Sequence, residues 1–257
     1  MTEYVDFLKK NVFKVAEYDQ FNLLFEAMRA FSAANCARAA IIERSYIYAG
    51  KSIFAGLFPP ATFTHVIDYR PVSAHDRAGY QSSWLDASGF DYPLAKDTIV
   101  DHRSHFSFSF DALDCDALAI PNVLHHCRDF PALFVQLSKR LPNMKRVFVF
   151  DSYLRENHQN PDDFCRYTPS ALSDVMEQNG FATTQLEETG NIFDAILYFI
   201  SQSHVTLQRP EMSELRALLE DVAVPRLREV RSDRSLQPLG RKYASASTGY
   251  AMTFERA

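Results

Sequence analysis

Five apolar runs in this chain end in, or lead directly into, a residue able to hold a polar ligand: Glu43, Asp68, Asp101, Asn122 and Asp151. Three carboxylates closing three successive runs suit a nucleoside. An acid after the second strand accepts from both ribose hydroxyls. An acid after the third accepts from an adenine amino group, and an acid after the first lies near an ammonium or organises the loop that holds one. Acids also follow strands as caps and turn residues, so each alone has a structural reading; Asp68 and Asp101 together favour the functional one. The pair His125-His126 follows Asn122. Imidazole titrates near neutrality and suits removal of a proton from an attacking hydroxyl, with Asp151 or Tyr153 nearby after the fifth strand.

Other clusters carry weaker signals. His102, His105, His125, His126 and Cys127 invite a metal site, but their spacing does not match structural zinc, and pocket-lining or core histidines fit better. Cys127 and Cys165 lack the partner pattern of a nucleophilic thiol. Arg166 either binds an acidic acceptor or pairs with Asp162 or Asp163, the commoner outcome. Pro225 to Lys242 carries six basic residues against two acidic ones. That stretch is a solvated helix face, or a surface for an anionic substrate or partner.

These residues need a scaffold, and the apolar spacing supplies one. Residues 3 to 34 have helical periodicity. Strands are expected at Ala39–Glu43, Phe63–Asp68, Thr98–Asp101, Ala117–Pro121 and Arg146–Asp151. A helix is expected over Ser52–Phe58, stopping at Pro59-Pro60, and another over Pro131–Leu141. Thr168-Pro169 opens a helix that ends at Asn179-Gly180. Phe181–Glu187 and Ile192–Ser201 read as two strands joined at Thr189-Gly190, giving an antiparallel addition at the sheet edge. Residues 210 to 231 form a charged amphipathic helix, and the final 25 or so read as irregular. Residues 72 to 97 read as a helix plus an inserted loop. Alternating strands and helices imply a mostly parallel sheet covered on both faces. Ligands of such sheets sit beyond the carboxyl ends of the strands, at the switch in strand order, which is where the acids stand.

At 257 residues, with 47% hydrophobic and 23% charged, the chain buries a sizeable core without staples. A net charge of −5 and a pI of about 5.9 remove the global basic footprint of a nucleic-acid binder. The four cysteines form no C-x-x-C pair and suggest no disulfide framework. No apolar stretch reaches the length of a membrane span, and Met1 to Lys10 does not read as a signal peptide. The expected compartment is the cytoplasm.

Asp116-Ala-Leu-Ala-Ile-Pro-Asn-Val-Leu-His-His-Cys-Arg-Asp-Phe-Pro-Ala-Leu, continuing to Leu141, resembles the fourth strand and following helix of the class I S-adenosylmethionine-dependent methyltransferases, with their V-L-E-H pattern. Asn160-Pro-Asp-Asp-Phe-Cys-Arg-Tyr-Thr-Pro-Ser-Ala-Leu, with Asn179-Gly-Phe181, is similar to a Pro-Asp-Tyr-Trp-Arg-Phe-Thr-Pro…Gly-Phe stretch of one branch, common near polysaccharide-synthesis enzymes. Gly56-Leu-Phe-Pro and His65-Val-Ile-Asp-Tyr-Arg-Pro71 resemble its second-strand region. The resemblance covers roughly residues 38 to 200. It implies S-adenosylmethionine as cofactor, with Asp68 and Tyr69 at the ribose, Asp101 and His102 at the adenine, and Glu43, Gly50 and Asn122 toward the amino acid and sulfonium end. His126 matches the family's His, and His125 stands where Glu is usual. The family's Gly-rich first loop reads Glu43-Arg-Ser-Tyr-Ile-Tyr-Ala-Gly50 here, with Gly50 its one glycine.

The expected architecture is a Rossmann-like three-layer α/β sandwich: a mostly parallel seven-stranded sheet with an antiparallel edge strand and extra N-terminal helices. Residues 1–36 are an N-terminal helical extension, 37–204 the Rossmann-like domain, and 205–257 a C-terminal helix and tail packed on it. The expected activity is methyl transfer to a small-molecule acceptor, with a sugar hydroxyl implied by the resemblance. His126, His125 and Asp151 are the catalytic candidates, and Tyr153 and Arg166 the acceptor-binding ones. No metal, nucleic acid or membrane is expected, and a homodimer stays open. The alternatives are a non-catalytic relative serving as a binding or partner subunit, motivated by the first loop, and a different chemistry on the same fold.

Overall fold

The structure, a computed structural model, describes residues 2–11, 19–34, 36–44, 47–48, 51–69, 98–103, 114–154, 164–202, 209–233 and 248–257. Helices α1 (Thr2–Asn11) and α2 (Asp19–Ala33) precede strand β1 (Arg38–Glu43). A two-stranded hairpin follows, β2 (Ile47–Tyr48) with β3 (Lys51–Ser52), and then strands β4 (Phe63–Tyr69), β5 (Thr98–Arg103) and β6 (Ala117–Pro121). Helix α3 (Phe130–Arg140) leads to β7 (Arg146–Ser152), and α4 (Pro169–Gln178) to β8 (Phe181–Thr189). Helices α5 (Ile192–Gln202), α6 (Ser213–Leu218) and α7 (Val224–Ser232) precede β9 (Gly249–Arg256).

The main sheet has seven strands in the order β5-β4-β1-β6-β7-β9-β8. The pairs among β5, β4, β1, β6 and β7 are parallel, and β9 runs antiparallel to both β7 and β8. This is the expected mostly parallel α/β sandwich with an antiparallel addition towards one edge. The order reverses between β1 and β6.

The strands are nearly continuous apolar runs because both faces are covered. Ala39 and Ile41 of β1 join Leu24, Phe25, Met28 and Phe31 of α2 in one core. Ala40 and Ile42 join Leu133, Phe134 and Leu137 of α3 and Leu172 and Met176 of α4 in the other. Local signals fix the helices on the second face. Asp129 accepts from Ala132 N at 2.9 Å, with Pro131 in the first turn of α3. Thr168 caps α4 through Ala171 N at 3.2 Å, and the helix stops before Gly180, whose φ of +80° suits a residue without Cβ.

Three expectations are corrected. Ser52–Phe58 is not a helix; the hairpin precedes a single 3-10 turn, Ala55–Leu57. Ile53, Phe54, Leu57 and Phe58 are all buried, and the Ile53 carbonyl accepts from the Tyr4 hydroxyl at 2.8 Å. A segment this short gains more from tertiary contacts than from starting a helix. Ile192–Ser201 is the helix α5, not a strand. Asn191 Oδ1 accepts from Phe193 N and Asp194 Oδ2 accepts from Asn191 N, both at 2.8 Å, so two side chains fix the helix start. The antiparallel strand comes instead from residues read as irregular, since β9 is buried from Gly249 to Phe254. Residues 210–232 are helical as expected, with a π segment at Leu219–Ala223 between α6 and α7. The 72–97 segment lies outside the described residues. Among the described residues no helix is long and apolar enough to cross a membrane.

Candidate functional site

The register of the parallel strands aligns several residues singled out in the sequence. Glu43 at the end of β1 pairs with Asp68 of β4, and Asp68 pairs with His102 of β5. Asp101 pairs with Ile67, one position short of that row. Glu43 and Asp68 are fully buried. On the other side of the switch point, Asn122 follows β6 in left-handed backbone, φ +54°, and its N–H donates to the Phe150 carbonyl of β7 at 2.8 Å. Asn tolerates that region better than most residues, which explains the residue type at this corner. Tyr69 is buried in the core shared with α3 and α4. Gly50 lies outside the described residues.

One oxygen of Glu43 has a partner within the chain. Its Oε2 accepts from the Ser52 hydroxyl at 2.6 Å, and Ser52 Oγ accepts from Phe54 N at 3.2 Å. The chain after β1 therefore turns through a hairpin and a 3-10 turn, with Ser52 tying that turn to the strand end.

The second group of residues lies beyond β6 and β7. Leu124–His126 forms a 3-10 turn, and His125 Nδ1 meets Asp151 Oδ1 at 2.7 Å, both residues being 1% exposed. Asp151 Oδ1 also accepts from Ser152 N at 2.8 Å, while its Oδ2 is buried with no partner. The His125 and His126 rings lie 4.1 Å apart. The His125 carbonyl accepts from Phe164 N at 2.9 Å, which ties the segment before α4 to this turn. Thus the three catalytic candidates, His125, His126 and Asp151, are brought together. A carboxylate that orients an imidazole is an arrangement able to hold or accept a proton.

Tyr153 stands two residues beyond Asp151, and its ring lies 4.9 Å from that of Tyr250. Burial pushes the Tyr153 phenol up to about 12, and the Glu188 charge adds to this. Tyr250, level with Asp151 across the β7–β9 pair, donates to the Tyr167 carbonyl at 2.8 Å. Its phenol lies well above its usual value, first because it is buried and then because Asp151 is near. Sequence reasoning missed Tyr250 because its strand read as irregular. Arg166 donates from Nη1 to the Cys165 carbonyl at 2.9 Å; Asp162 and Asp163 lie outside the described residues. Cys127 and Cys115 are held up to about 12, mainly by burial, so neither is a ready nucleophile. Among the described residues no cluster of three His, Cys, Asp or Glu side chains could hold a metal; His105 lies outside them.

The register places Glu43, Asp68 and His102 in one row at the carboxyl ends of β1, β4 and β5, with β1 beside the switch point. A Gly-rich turn lets backbone approach a ligand closely and leads into a helix N-terminus; here β1 leads into a hairpin and one 3-10 turn.

No family model and no curated protein matches the chain. Among solved structures it is similar to a candidate sarcosine dimethylglycine methyltransferase from Galdieria sulphuraria, with a TM-score of 0.50 and 13% identity over 93% of this chain and 84% of that one. It is equally similar to a cyclopropane-fatty-acyl-phospholipid synthase-like protein from Lactobacillus casei, with a TM-score of 0.50 and 12% identity over 99% of this chain and 100% of that one. At such identity the likeness is one of fold. The fold is that of the class I S-adenosylmethionine-dependent methyltransferases.

Proposed function

We propose that this protein is an S-adenosylmethionine-dependent methyltransferase acting on a small-molecule acceptor in the cytoplasm. The observation that carries this reading is the placement of Glu43, Asp68 and His102 in one row beside the switch point, with the His125–Asp151 pair beyond the neighbouring strands. Asp68 would hold the ribose hydroxyls, with Tyr69 beside it, and Asp101 and His102 the adenine. Glu43, Gly50 and Asn122 would face the amino acid and sulfonium end. When bound, the cofactor supplies an electrophilic methyl group. The chain's own part is to place the acceptor in line with it, which supplies most of the rate, and to take the acceptor's proton. Asp151 holds the His125 ring, and His125 or His126 is the base. Tyr153 and Arg166 would contact the acceptor, for which the sequence resemblance suggests a sugar hydroxyl.

Thermal unfolding with and without S-adenosylmethionine and S-adenosylhomocysteine tests this. A ligand at 100 times its dissociation constant adds about 2.7 kcal/mol of stability. A shift in the wild type that Asp68→Ala abolishes is the expected result; no shift at millimolar ligand refutes the reading.

One observation favours a second reading, a relative that keeps the fold as a binding or partner subunit. Glu43 is buried against Ser52, and the hairpin stands where the Gly-rich turn would be. That reading expects no shift with either ligand.

A further inference from the structure

Beside α3 the surface opens into a cleft of about 280 Å3 lined in part by His126, Arg128, Asp129, Leu133, Gln136 and Phe164. Small-molecule sites commonly occupy about 300–1,000 Å3, so this one lies just below that range and has room only for a small ligand.

Its charges are available. The Arg128 guanidinium lies 4.7 Å over the Phe164 ring, and among the described residues it makes no ion pair or side-chain hydrogen bond. Asp129 uses one carboxylate oxygen on the α3 cap, accepting from Ala132 N at 2.9 Å. The two are neighbours in sequence and line one cleft without pairing to each other. Phe164, 39% exposed, and Leu133, 4% exposed, give the cleft an apolar wall. A ligand bearing only an anion would meet Asp129, and one bearing only a cation would meet Arg128. A ligand carrying both charges satisfies both side chains.

We propose that this cleft binds a small zwitterion of the α-amino acid type. Its carboxylate pairs with Arg128, its ammonium pairs with Asp129, and its apolar side chain lies against Leu133 and Phe164. Planar guanidinium and carboxylate match in bidentate geometry, and stacking on Phe164 holds the guanidinium for that contact. Binding of this kind does not depend on methyl transfer. Both charged side chains are exposed and therefore screened, so affinity is modest and falls with added salt.

The test is an NMR shift titration of the full chain at low salt with phenylalanine, 3-phenylpropionate, which lacks the ammonium, and phenethylamine, which lacks the carboxylate. Phenylalanine should saturate the resonances of residues 126–136 and 164. It should also bind more tightly than either analogue, each exposed charge pair contributing roughly a factor of two to five. Arg128→Gln should erase its advantage over phenethylamine. Asp129→Asn, which keeps the helix cap because Asn caps as well as Asp, should erase its advantage over 3-phenylpropionate. Equal affinity for the three probes, shifts centred elsewhere, no saturation at tens of millimolar, or variants that leave the ranking unchanged would overturn the proposal. S-adenosylhomocysteine titrated into the same sample separates the two readings. Its failure to bind, with phenylalanine saturating, removes the methyltransferase reading and leaves the cleft. The reverse result removes only the cleft.

Discussion

His125→Ala should be among the costliest single changes at the candidate site, and the reason lies in what it leaves behind. His125 and Asp151 are each 1% exposed and meet at 2.7 Å. Removing the imidazole leaves the Asp151 carboxylate with the Ser152 N–H at 2.8 Å as its remaining donor and with Oδ2 already unpartnered. Breaking a buried pair by deleting one member costs about 3–5 kcal/mol, because the other charge stays buried. Asp151→Asn is milder. The amide oxygen still accepts from His125 and Ser152, no charge is buried, and the cost is that of one buried NH2 without an acceptor, about 1–3 kcal/mol. In the Asp151→Asn background, His125→Ala has no carboxylate to strand, so its cost should fall by about 2 kcal/mol or more, giving a non-additive cycle. Equilibrium urea unfolding of the four proteins reads these values from midpoints at a common slope. The reasoning fails if His125→Ala loses less than about 1 kcal/mol, or if its cost is the same beside Asp and beside Asn.

Gly190 has φ +82°, and a Cβ there would lie 2.1 Å from Thr248 Oγ1, whereas Gly180, φ +80°, has open space around it. Gly190→Ala should therefore lower the thermal midpoint clearly more than Gly180→Ala, which carries only the backbone strain of about 1 kcal/mol. Ser52→Ala removes the donor to the buried Glu43 carboxylate at 2.6 Å and should cost about 1–3 kcal/mol in urea unfolding. The Cys115 and Cys127 thiols are held up to about 12 in the folded chain against 9.0 for an ordinary thiol. The unfolded chain thus releases these protons first, and stability should be full below about pH 9 and fall as pH rises towards 12. Urea midpoints across that range check this, with a shallower fall in a Cys115→Ala/Cys127→Ala protein.

The parallel half of the sheet was legible because each of its strands is a short apolar run closing on a polar residue, and ligands of such sheets sit beyond the strand ends. Glu43, Asp68, Asn122 and Asp151 became candidates that way. Helix α4 was legible at both ends, since Thr168-Pro169 and Asn179-Gly180 are local signals that tertiary structure had no reason to override. Strand β9 was not, because Gly249 and Thr253 break its apolar run into pieces too short to stand out, and Tyr250 went unnoticed with it. Ile192–Ser201 read as a strand from its apolar density, although Asn191 and Asp194 at its start were the capping signal that marks a helix. The role of Ser52 left no trace at all: a hydroxyl reaching a carboxylate nine positions away has no periodicity to betray it.

The position of β9 bears on how the chain assembles as it is made. Among the described residues β8 pairs in the sheet with β9 alone, and Thr189 and Thr248, which join across the end of that pair, are 59 positions apart. During synthesis at roughly 5–20 residues per second, β8 leaves the ribosome about 3–12 s before the strand it needs. Throughout that interval β7 offers an open hydrogen-bonding edge, the kind of template on which chains pair wrongly. A nascent-chain chaperone, or slow translation after the β8 codons, would be felt at this edge before anywhere else in the sheet.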